Sequence, residues 1–85
     1  MRAYEIVLHE EAWSALAAAS NIEQRRLLAY MNELRADPFC LGDFRETDSK
    51  GRANEVQLVG EWLVTFWSDH AVREVRVVRL EKVED

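Results

Sequence analysis

A chain of 85 residues is long enough for one domain and too short for two, and its core is small enough for a partner to add appreciably to stability. With 48% hydrophobic and 32% charged residues it is not a disordered chain, and one proline and three glycines are too few for a linker or low-complexity tract. The net charge of −5 argues against generic binding to a phosphate backbone, and no apolar run approaches the roughly 18 residues that span a bilayer.

Tyr4, Ile6 and Leu8 alternate with Ala3, Glu5 and Val7, the period of a first strand. His9-Glu10-Glu11 then places acids where a helix N-terminus favours negative charge, and Ala12, Trp13, Leu16, Ala17 and Ala19 predict a short helix with an apolar face. Ser20 followed by Glu23 has the spacing of a capping box, opening a second helix whose Leu27, Leu28, Met31 and Leu34 line one side. Asp37-Pro38 ends it, because proline disfavours helical geometry in the residue before it.

From Gly42 onward the pattern is an antiparallel meander. A strand over 42–48 enters the Ser49-Lys50-Gly51 turn, a second over 52–59 enters Gly60, and a third over 61–67 enters Ser68-Asp69-His70-Ala71, with a last strand over 72–80. Trp62, Val64 and Phe66 alternate with Leu63, Thr65 and Trp67, so the third strand is apolar on both faces and is expected to be central or covered by a partner. In an unbulged last strand Arg73 and Arg79 share one face and Arg76 the other.

The order predicts an α+β domain over 1–85: an N-terminal strand, a two-helix hairpin, then an antiparallel meander, with both helices on one face of a sheet of four or five strands. The hairpin is long enough to carry the first strand across to the last, where it would be central or next to an edge. Ile6, Leu8, Trp13, Leu16, Leu27, Met31, Leu34, Val56, Leu58, Val64, Phe66, Val75 and Val77 are the expected core. The start, Met1-Arg2-Ala3-Tyr4-Glu5, is unlike a signal peptide, so a cytoplasmic protein without membrane contacts is expected.

Alternate turns of a meander fall at the same end, bringing the turns at 49–51 and 68–71 together. His70 as acid or base, with Arg52, Arg73 and Arg76 as anion holders, is the catalytic constellation this allows. The competing reading is a simple Asp69-His70 turn with arginines in surface ion pairs. Trp62 and Trp67 are the expected partner-binding residues. No metal site is expected, since His9, Glu10 and Glu11 are adjacent and do not converge; a lone Cys40 makes neither a disulfide nor a metal cluster, and no cofactor motif is present.

The strand Tyr4-Glu5-Ile6-Val7-Leu8, the helices at Ala12–Leu16 and Arg26–Leu34, Asp37-Pro38, Gly42-Asp43-Phe44-Arg45-Glu46 and the run from Val56 to Phe66 together resemble the RelE/ParE toxin superfamily of bacterial type II toxin–antitoxin systems, over nearly the whole chain. The resemblance implies a compact toxin fold, a cytosolic bacterial setting and a cognate antitoxin that wraps the toxin. It departs from ribosome-dependent RNA-cleaving members, which carry an arginine where this chain has Leu63, lysines where it has Glu55 and Gln57, and a basic tail where it ends Glu81-Lys82-Val83-Glu84-Asp85. The expected function is therefore that of a toxin-family protein acting by protein binding, on its antitoxin or a gyrase-like target. A divergent ribosome-dependent endoribonuclease and a non-toxic interaction module are the alternatives, and a homodimer would also cover the two-sided strand.

Overall fold

The computed structural model describes residues 3–83. In chain order they form β1 (Glu5–Leu8), α1 (Glu10–Ala18), α2 (Asn21–Ala36), β2 (Phe44–Thr47), β3 (Ala53–Val59), β4 (Trp62–Asp69) and β5 (Glu74–Lys82). The α2 capping box closes in both directions. The Ser20 hydroxyl accepts from the Glu23 amide at 3.2 Å, and the Glu23 carboxylate accepts from the Ser20 amide at 2.9 Å. From that start, Leu27, Met31 and Leu34 fall on one stripe, and all three are buried.

The strands form one sheet in the order β1-β5-β4-β3-β2. The doubly apolar β4 is central, as its composition requires. Strands β2 to β5 pair antiparallel, whereas β1 pairs with β5 in parallel, Ile6 opposite Val75 and Leu8 opposite Val77. The expectation that the first strand joins the last is met, but β1 is itself an edge. Helices α1 and α2 form the crossover, which is the connection a parallel partner needs.

The helices cover one face only. Leu27, Met31 and Leu34 of α2 and Ala12 and Leu16 of α1 pack with Trp62, Val64 and Phe66 of β4 and Val75, Val77 and Leu80 of β5. Two expected core residues lie outside: Trp13 is 58% exposed and Leu58 49% exposed. The short α1 turns Ala12 and Leu16 inward, and one further residue is a rotation of about 100°, which takes the Trp13 indole outward. On β3 the turn decides the register. Gly60, at φ 61° in the first central position of a two-residue hairpin, sets Val59 opposite Trp62. Glu55, Gln57 and Val59 consequently share the helix-side face, while Asn54, Val56 and Leu58 join Leu63, Thr65 and Trp67 on the open face. Val56 is buried as expected, but on that open face, paired with Phe44 and Thr65.

A bulge corrects the arginine pattern. Pairing along β4 and β5 steps from Phe66–Val77 to Thr65–Arg79, leaving Val78 as the extra residue. Val75, Val77 and Leu80 all reach the core, and Arg79 moves onto the face of Arg76 instead of that of Arg73.

Candidate functional site

The turns at 49–51 and 70–73 lie at the same end of the sheet, and the open face beside them collects the polar side chains. In the β2–β3 turn the Asp48 carboxylate accepts the amides of Lys50 and Arg52, each at 2.9 Å, and Gly51 takes φ 81°. The Arg52 amide is the main cause holding the Asp48 carboxyl below its usual range, against the opposing effect of burial. This turn delivers the Arg52 guanidinium to the Trp67 ring, 3.9 Å from its centroid. Arg76, directly opposite Trp67 on β5, approaches the same ring at 5.8 Å.

Arg76 and Arg79 on this face are engaged by carboxylates. Arg76 donates to Glu74 at 2.6 Å, while its Nε is buried without a partner among the described residues. Arg79 donates through Nη2 to both oxygens of Glu46, at 2.9 and 2.7 Å, and through Nε to Glu81 at 2.6 Å. Glu46 is on β2 and Arg79 on β5, so this pair spans the face. The Glu46 carboxylate is the first cause raising the Arg79 pKa further above its ordinary value. Beneath the pair, Asn54 Oδ1 and Thr65 Oγ1 are buried and unpartnered among the described residues. The resulting cleft, about 310 Å³, is lined by Glu46, Asp48, Arg52, Asn54, Trp67 and Arg79 among others.

His70 belongs to a different cluster. Its Nδ1 is 2.7 Å from the Tyr4 hydroxyl, and its ring stacks on Phe39 at 4.5 Å with planes 10° apart. Ser68 donates to the Pro38 carbonyl at 2.7 Å, tying the same loop to β4. His70 therefore lines a cleft with Pro38, Phe39 and Ser68, with Trp67 standing between it and the Arg52 side. Arg73 occupies the β4–β5 turn at φ 56°, unusual for a side-chain-bearing residue, and its carbonyl accepts the Glu5 amide at 3.0 Å. Trp62 lies away from both clusters, 8% exposed, with its indole N–H donating to Glu23 at 2.8 Å.

Of the residues singled out in the sequence, Arg52, Arg76 and Trp67 are brought together, while His70 joins Tyr4 and Phe39. Trp62 is covered by the chain itself. Sequence reasoning missed Glu46 and Arg79, whose meeting depends on the bulge at Val78, and Tyr4, which is 66 residues from its histidine. Neither carries a local signal. Chemically, the open face offers an arginine–indole stack and carboxylate-neutralised guanidiniums rather than a bare cationic surface.

No protein-family model matches the sequence, and no curated protein matches it. The structure is similar to a chain of the crystal structure of the archaeal RelE–RelB complex from Pyrococcus horikoshii OT3, with a TM-score of 0.75 and 15% sequence identity over 93% of each chain. The chain thus shares the fold of that structure, two helices on a five-stranded, mostly antiparallel sheet.

Proposed function

We propose that this chain is the toxin-family component of a type II toxin–antitoxin pair and acts by binding protein, first of all a cognate antitoxin. The likeness to a RelE solved together with RelB, over 93% of the chain, supports the assignment to a toxin-like role. The observation that carries the choice of protein binding over RNA cleavage is the state of the open-face arginines. Two of the three, Arg79 held by Glu46 and Glu81 and Arg76 by Glu74, have their charge already compensated within the chain, and the third, Arg52, is stacked on Trp67. In-line attack on a phosphodiester needs uncompensated, preorganised positive charge at the developing oxyanion, and removing one such donor costs roughly 10²–10³ in rate by analogy with acyl transfer. Leu63 supplies no substitute. If the chain is toxic, contact with a gyrase-like target suits this surface.

A divergent ribosome-dependent endoribonuclease is the second reading, favoured by the Arg52–Trp67–Arg76 stack, which joins cations to a ring able to stack on a base. Inducing the chain in a bacterium, alone and with the product of the neighbouring reading frame, separates the readings. Growth arrest relieved by the neighbour, with unchanged messenger RNA ends on translating ribosomes, is the expected result. Cleavage that disappears in His70→Ala and Arg73→Ala, while binding of the neighbour persists, would make the protein a nuclease. Binding without any growth effect would identify a non-toxic interaction module.

A further inference from the structure

We draw no further inference here: the strongest candidate, the open-face cleft beneath the Glu46–Arg79 pair, where Asn54 Oδ1 and Thr65 Oγ1 are buried without partners among the described residues, belongs to the site already described, and its mixed lining of Glu11, Asp48, Lys50 and Arg52 singles out no ligand.

Discussion

Truncating Leu34 to alanine tests the architecture most directly, because the residue is 1% exposed at the end of the stripe that Leu27 and Met31 begin. The change removes three carbons, worth about 2 kcal/mol of transfer free energy at about 0.8 kcal/mol per methylene, and leaves a cavity whose cost brings the total to about 2–5 kcal/mol. Helix propensity does not offset this, since leucine and alanine are both strong helix formers. A domain of 85 residues is expected to have about 4–13 kcal/mol of total stability, so the loss is a large fraction of the whole. At about 4–8 °C per kcal/mol for a domain of this size, the unfolding midpoint should fall by about 8–40 °C. Leu28→Ala is the matched control on the same helix: its side chain is half exposed, and a change within about 0.5 kcal/mol is expected. Thermal and urea unfolding of both variants provide the comparison. Equal losses, or a Leu34→Ala effect as small as the control, would refute the assignment of this stripe to the core.

The Glu23 carboxyl is drawn down to about 2 by the Ser20 amide first, then by the Trp62 indole and Lys82. Its contribution should be present above about pH 4.5 and fade as pH falls towards 2, so Glu23→Gln should flatten the profile of unfolding midpoint against pH in that window. The Glu46–Arg79 pair is partly exposed, so a double-mutant cycle with Glu46→Gln and Arg79→Gln should give a coupling of about 0.2–1 kcal/mol, diminished in 1 M salt. A coupling unaffected by salt would contradict the screened geometry. A Cβ at Gly42 would lie 2.5 Å from the Val56 carbonyl oxygen, which belongs to backbone. Gly42→Ala should therefore cost about 1–3 kcal/mol by overpacking, measured by denaturant titration; a neutral result would show that the segment before β2 sits elsewhere.

The elements were legible because local physics specifies them. Ser20 and Glu23 satisfy each other's amides whatever surrounds them, Pro38 stops a helix in any context, and the glycine at position 60 makes a tight hairpin of 53–69. Trp62 to Trp67, apolar on both faces, likewise announced a central strand. Other features were set by tertiary geometry. The parallel place of β1 at the edge depends on where the helical crossover lands. The faces of Val56 and Leu58 depend on hairpin register, in which a one-residue difference inverts every side chain. Above all, the bulge at Val78 carries Arg79 to Glu46, and the meeting of His70 with Tyr4 joins distant parts of the chain. A period-two pattern contains neither a missing step in the ladder nor the identity of a residue across the sheet. The composition and order of this chain thus determined which strands and helices form, whereas the charge state of its open face was decided only when those strands were laid side by side.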